Sequence, residues 1–501
     1  MRAPAGHAVK LITAGRLLRR PFYTSIIEND ILCKIIHVEG DRMTKAVEPM
    51  TSGAIWKRLT FFALPLFLGN LFQQLYNTVD SLIVGNFLGS SALAAVSSSG
   101  SLIFMLIGFL SGIAGGAGVA VARRFGAGDN EGVERAVHTT VAFGLVAGSV
   151  MTVLGVLLSP QILLWMGTPE SVLPQSITYL RIYFAGSLFF VMYNIFVGIL
   201  QAVGDSRHPL YYLMVSSVVN LVLDVVFIEF AHTGVGGAAF ATVISQAVSA
   251  VLCLVHLLRS RECYRLRLRK LGFDLHYLRE IIRLGLPSGV QNSIIAFSNV
   301  LVQSNVNAFG EMAMAGCGAY SKVEGFGFLP INSFTMALTT FVGQNLGGHE
   351  FERTRKGVRF GVLTTVLLAE GIGVVIFLLA PQLIAAFDPT QEVVRFGTDK
   401  ARTSALFYFL LAYSHSIAAV LRGAGKAIIP MFTMMVCWCV IRVSFLTITV
   451  PLTHSIQMVY WVYPLTWALS STFFFWYYHH GNWLNFEIAN RRLPRRAAEK
   501  D

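Results

Sequence analysis

The chain has 501 residues, 54% of them hydrophobic and only 13% charged, and its mean hydropathy is +0.61. A soluble domain carries about 25% charged residues, so this composition excludes a soluble enzyme or binding module and marks an integral membrane protein. The net charge of +12 does not point to nucleic acid, because the basic residues sit where membrane topology puts them.

The first fifty residues fit no span. They mix Arg16, Arg19 and Arg20 with Glu28, Asp30 and Asp41, and their apolar runs are too short for a signal peptide; the Arg-rich LITAGRLLRR reads as a transit peptide or a surface helix, with the acidic residues and missing Ser enrichment against the first. We expect translation to begin at Met43 or Met50, leaving an N-terminal extension, residues 1–54, outside the fold. Twelve apolar segments then follow, each long enough to cross a hydrocarbon core of ~30 Å as a helix. They lie near 61–84, 92–121, 136–158, 178–200, 209–230, 235–258, 282–308, 312–343, 357–380, 399–421, 429–450 and 456–479. The long alternation of a membrane-spanning barrel is missing, which leaves an all-α protein.

Span 1 contains GNLFQQLYNTVDSLIVGNFLG, in which Asn70, Gln73, Gln74, Asn77 and Asp80 step by three or four and form one polar stripe on a helix. Span 2 carries SGIAGGAGVA, with Gly112 and Gly116 at the spacing that lets helices pack closely. On span 5, Asn220 and Asp224 are four apart and share a face. A carboxylate at the centre of a membrane helix costs at least ~2.5 kcal/mol, so it needs a partner, a proton or a cation. Gluing helices together would be the structural role of Asp80 and Asp224, but Ser, Thr or Asn usually serve for that. Glu324 and Glu370, in spans 8 and 9, are further candidates for a pathway role or a local pair; Lys322 stands beside Glu324, and Arg442 on span 11 is expected to snorkel or to pair with Glu370. Phe189, Phe190 and Phe326, with Met192, Met214 and Met336, could line an adaptable apolar cleft.

Positive charge follows every even-numbered span: Arg123, Arg124 and Arg135 after span 2, Arg207 after span 4, the run between Arg259 and Arg283 after span 6, Arg353 to Arg359 after span 8, and Arg422 and Lys426 after span 10. Arg395, Lys400 and Arg402 after span 9 are the exception. The positive-inside rule places both termini and the central loop in the cytoplasm. Six cysteines, mostly within or beside spans, imply no disulfide framework. GAGKA at Gly423 departs from a P-loop at Ala427, and HEFER at His349 ends in Arg353 where a zinc helix needs His. No enzyme, cofactor or resident metal is expected.

The chain repeats itself at a spacing of about 221 residues. ALP at Ala63 returns as GLP at Gly285, SPQIL at Ser159 as APQLI at Ala380, and LQAVGDSRHP at Leu200 as LRGAGKAIIP at Leu421. Residues 55–258 and 282–480 are therefore two six-span lobes, joined by a basic linker at 259–281 and followed by a cytoplasmic tail at 481–501. Six spans per lobe make the copies parallel, and two such lobes enclose a cleft that rocking exposes to each side in turn. Asp80, Asn220 and Asp224 face Val302, Ile441 and Phe445 in the second copy, so the central carboxylates belong to one lobe only.

The residues LYNTVDSLIVGNFLG, ARRFGAGD, LQAVGDSRHP, NLVLDVVFI and YSKVEGFGFLP make residues 55–480 resemble the multidrug and toxic-compound extrusion (MATE) family of efflux transporters. The resemblance implies two six-helix lobes in a V. It also implies an N-lobe ion site made of Asp80, Asn220, Asp224 and Thr242, with Tyr179 and Asn194 as counterparts of a fourth-span Tyr and Asn. These residues would hold a coupling H⁺ or, as metal ligands, Na⁺. The seventh-span acid of the family's other branch is missing from SGVQNSIIAFSNV. The expectation is a plasma-membrane (inner-membrane) antiporter, working as a monomer, that exports amphipathic or cationic organic compounds, with Gln73 and Asn77 on the pathway. A lipid-linked oligosaccharide flippase of the same superfamily, or a receptor or scaffold without transport, are the other readings.

Overall fold

A backbone in hydrocarbon must bond to itself, and the apolar segments are accordingly helical throughout. The computed structural model describes residues 49–88, 90–170 and 172–484; most of the N-terminal extension and residues 485–501 of the tail lie outside the described residues. The first lobe comprises α1 (Ile55–Leu88), α2 (Ser90–Gly126), α3 (Asn130–Trp165), α4 (Leu173–Ala185), α5 (Ser187–Val203), α6 (Arg207–Val225) and α7 (Val235–Arg259). The second comprises α8 (Leu275–Asn307), α9 (Glu311–Gly347), α10 (Phe351–Ala385), α11 (Gln391–Ala405), α12 (Tyr408–Gly423), α13 (Ile428–Met434), α14 (Arg442–Thr453) and α15 (Gln457–His480). A π-helical turn extends α6, and another, Met435–Ile441, joins α13 to α14.

Among the described residues these helices make twelve rods, because α4–α5, α11–α12 and α13–α14 each continue one another. Seven helices are long and apolar enough to cross a membrane, or nine if each bent pair is one span. The remaining rods, α1, α8 and α15, have 34, 33 and 24 residues. The repeat is visible in the breaks. Pro65 and Pro160 lie inside α1 and α3, and Pro287 and Pro381 inside α8 and α10. Spans 4 and 10 bend by 48° and 56° at equivalent places, near Gly186 and Phe407.

The break in span 10 explains Glu370. Its Oε2 accepts from the Phe409 backbone N–H at 3.1 Å, one of the donors that a helix start leaves without an internal partner. Glu370 thus caps the start of α12 and is not the partner of Arg442. The boundary expected at residue 54 also moves. Met50 is buried, its N–H donates to Gln344 Oε1 at 2.8 Å, and Arg353 donates to the Met50 and Ser52 carbonyls. Residues 49–54 belong to the fold.

The lobes meet along a seam of small residues. A methyl group added to Gly112 would lie 2.3 Å from the Gly289 nitrogen, and one on Gly116 2.3 Å from Gly285 Cα, so α2 and α8 touch backbone to backbone. At the C-terminal end of α2, Gly126 meets Gln344 and Gly347 meets Arg123 just as closely. Gln344 then crosses the seam, donating from Nε2 to the Ala202 carbonyl at 2.7 Å. Arg124 and Arg123 of α2 hold Glu280 of α8 at 2.5 and 3.6 Å, and Arg124 also lies over the Tyr277 ring. The basic residues after span 2, read from sequence only as topology markers, are a clasp between the lobes.

Gly116→Leu should separate α2 from α8 and lower the midpoint of thermal unfolding in detergent by at least several degrees, or abolish folded yield. Gly115→Ala, where nothing lies within 4 Å, should leave that midpoint unchanged. Equal behaviour of the two variants in a thermal-shift assay would contradict the seam.

Candidate functional site

Three helices of the first lobe bring its carboxylates together: α1 packs on α6, and α6 on α7. The four-residue spacing on α6 puts Asn220 and Asp224 on one buried face, with Asp224 fully inaccessible. Partly exposed Asp80 lies close enough to Asp224 for the two carboxyl groups to share a hydrogen bond. With its amide oriented so that both ends find partners, Asn220 donates to Asp224 Oδ2 at 3.3 Å and accepts from the Thr242 N–H at 3.3 Å. Among the described residues, Oδ1 of Asp80 and Oδ1 of Asp224 are buried without a hydrogen-bond partner. Two carboxylates in contact cannot both stay charged without a cation or proton between them. The unpartnered oxygens are where one would sit.

Tyr179 is buried within electrostatic range of both acids. Tyr76 shares that position and was legible in the sequence, since it stands one turn before Asp80. Asn194 is not brought into the cluster: its oxygen accepts from Ser111 at 3.4 Å and its nitrogen donates to the Phe190 carbonyl at 2.9 Å. The Thr242 hydroxyl is likewise turned away, onto the Ala238 carbonyl at 3.0 Å. Of the stripe on α1, Asn77 is exposed and Gln73 half-buried, while Asn70 reaches across to Ser333 of α9 at 3.3 Å. Phe189, Phe326, Met214 and Met336 are exposed enough to face a cleft; Phe190 and Met192 are core residues.

The second lobe holds a different polar cluster. Glu324 accepts from the Tyr320 hydroxyl at 3.2 Å, and that hydroxyl lies 2.9 Å from Tyr408. Lys400, only 4% exposed, sits over the rings of Tyr320 and Tyr463, whereas Lys322 is exposed. Arg442 donates to Thr466 at 3.0 Å and Asn299 at 3.3 Å and stacks on Trp438 and Tyr463. Buried as it is, Arg442 neither snorkels nor pairs with Glu370: its planar guanidinium finds amide, hydroxyl and aromatic partners instead. Lys400 looked like a loop residue because α11 is polar; only the bend between α11 and α12 turns it inward.

With this geometry in hand, comparison with known proteins is specific. The MatE family model matches twice, at residues 65–226 and 287–448. The probable multidrug resistance protein YoeA of Bacillus subtilis is 30% identical over 438 residues, covering 85% of this chain and 94% of that one. The probable multidrug resistance protein NorM of Thermotoga maritima is 27% identical over 386 residues, covering 75% and 82%. A crystal structure of MATE in complex with MaL6 superposes with a TM-score of 0.82 at 25% identity, covering 88% of this chain and 99% of the other.

Asn220→Ala should strip Asp224 of its amide donor and destabilise the first lobe by about 1–3 kcal/mol, the cost of a lost partner to a buried polar group. Asn194→Ala should not touch the carboxyl pair. Urea or thermal unfolding of both variants checks this, and a stable Asn220→Ala protein would contradict the bridge.

Proposed function

The chain belongs to the MATE family of membrane transporters, and from its first-lobe carboxyl pair we propose that it is a cation-coupled antiporter exporting amphipathic or cationic organic compounds. The observation that carries this reading is the contact between Asp80 and Asp224, each with one buried oxygen that has no partner among the described residues. Relatives named for multidrug resistance support the substrate class.

Asp224 and Asp80 would hold the coupling H⁺ or Na⁺, with Asn220 keeping the Asp224 carboxyl in place. The donor set fits either ion: two carboxylates and an amide supply oxygens for Na⁺, and adjoining carboxyls share a proton readily. Ion binding removes the repulsion between the acids and lets α1 and α6 draw together. An organic cation in the cleft favours the charged pair instead, so ion and substrate prefer different states, which is the condition for exchange. Arg123, Arg124 and Glu280, at the end that the positive-inside rule places in the cytoplasm, keep the lobes shut there until a switch pulls them apart. A membrane potential of 100 mV contributes ~2.3 kcal/mol per charge moved. A flippase for lipid-linked sugar phosphates would want cations facing the cleft, but Lys400 and Arg442 are enclosed among aromatic rings of the second lobe.

Uptake of a fluorescent organic cation into proteoliposomes under an imposed pH or Na⁺ gradient tests the proposal. Native protein should follow one of the two gradients. Asp224→Asn should lose at least tenfold of that uptake, while Glu324→Gln should stay within a few-fold. Native-like transport by Asp224→Asn would overturn the coupling role.

A further inference from the structure

A second cluster of chemistry-bearing residues lies at the linker end of the first lobe, away from the carboxyl pair. The short connection between α5 and α6 carries Asp205, which is 7% exposed. Its Oδ1 accepts from the backbone N–H of Arg207 at 3.1 Å and of His208 at 3.2 Å, and so starts α6. Oδ2 has another setting. It lies 2.5 Å from His208 Nδ1 and 3.9 Å from Nε2 of His256, in the last turn of α7. Burial alone would raise the Asp205 carboxyl, but the hydrogen bonds and charge of His208 hold it below the ordinary range.

Helix capping accounts for Oδ1 but not for His256. That ring is fixed from behind, its Nδ1 3.0 Å from the Tyr212 hydroxyl, and it presents Nε2 to Asp205 at a distance too long for a hydrogen bond. A ring nitrogen held by an outer partner while the other nitrogen converges on a carboxylate is the arrangement of a metal-bound imidazole. One ligand atom from each of Asp205, His208 and His256 lies within 4.8 Å of the others, and the His208 and His256 ring centres are 4.4 Å apart. A tetrahedral ion with bonds of ~2.1 Å needs ligand atoms about 3.4 Å apart, within a small side-chain adjustment of the distances observed.

We propose that Asp205, His208 and His256 form a binding site for one divalent transition-metal ion of the zinc class, with Tyr212 as the positioning residue behind His256. Two imidazoles and a carboxylate suit Zn²⁺ and its neighbours, whereas Mg²⁺ and Ca²⁺ prefer all-oxygen sets. The side chain of His208 is 29% exposed, which gives the ion a way in and leaves room for water as a fourth ligand. The ion ties the first turn of α6 to the last turn of α7, the two helices that carry Asp224, Asn220 and Thr242. It depends on no assumption about transport.

Full-length protein purified without a histidine tag, stripped with chelator and titrated with Zn²⁺ by calorimetry tests the site, with Co²⁺ absorption reporting ligand geometry. Native protein should bind one Zn²⁺ per chain, give the intense visible bands of four-coordinate Co²⁺, and unfold at a higher temperature with Zn²⁺ present. His208→Gln and His256→Gln, verified as folded by gel filtration, should each bind at least 100-fold more weakly, and Tyr212→Phe about tenfold more weakly. Changing exposed His479 and His480 to Gln should alter nothing. Native protein that binds no Zn²⁺, or binding that survives unweakened in the folded His208→Gln, His256→Gln double variant, would overturn the site.

Discussion

The backbone contact between α2 and α8 is the constraint on which the rest depends. Lipid tails are as apolar as leucine, so helices in a membrane gain little by merely hiding hydrophobic surface from one another; they hold together where small residues allow close packing. Gly112 and Gly116 against Gly289 and Gly285 give such a contact, and no side chain fits between them. Under our reading this seam, narrow and lying between two lobes of similar build, is the pivot. The other close approaches, at Gly126 and Gly347, sit at one end of it, beside the Arg124–Glu280 clasp. The lobes are therefore fastened at that end.

Placement of the carboxyl pair follows from this frame. Asp80 is on α1 and Asp224 on α6, neither of them a seam helix, yet α1 also bonds across to α9 through Asn70 and Ser333. Under our reading, a change in the distance between the two acids is a change in how α1 sits on its own lobe, and α1 passes it to the other. Coupling then needs no long chain of contacts: one helix touches both the ion site and the opposite lobe. The second lobe has no equivalent acid pair at the matching positions, and its buried Lys400 and Arg442 lie against aromatic faces.

Much of this was legible in the sequence, for reasons that can be stated residue by residue. Spans follow from length and apolarity, the two lobes from repeated motifs, and Asp80 with Asp224 from the cost of a carboxylate in hydrocarbon. Glycines at four-residue spacing in span 2 gave close packing correctly, though not the partner helix. What escaped is what depends on bends and on distant contacts. The breaks near Gly186 and Phe407 have no hydropathy signature, and without the second one neither the capping role of Glu370 nor the inward turn of Lys400 can be foreseen. For Arg442, charge alone suggested snorkelling or a carboxylate partner, and its aromatic and hydroxyl partners come from distant helices. His208 and His256 are far apart in sequence and meet only because α6 and α7 are neighbours.

The central claim is that the ion held by Asp80 and Asp224 sets the angle between the lobes. Leu157 on α3 and Leu378 on α10 are highly exposed, occupy equivalent positions in the two copies, and accept spin labels without touching either polar cluster. In protein freed of its native cysteines, the distance distribution between labels at these two positions, measured by pulsed electron resonance across pH and Na⁺ concentration, reads that angle directly. The account predicts a shift with one of the two ions that disappears in Asp224→Asn. A shift of the same size in Asp224→Asn, or none in the native background, would contradict it.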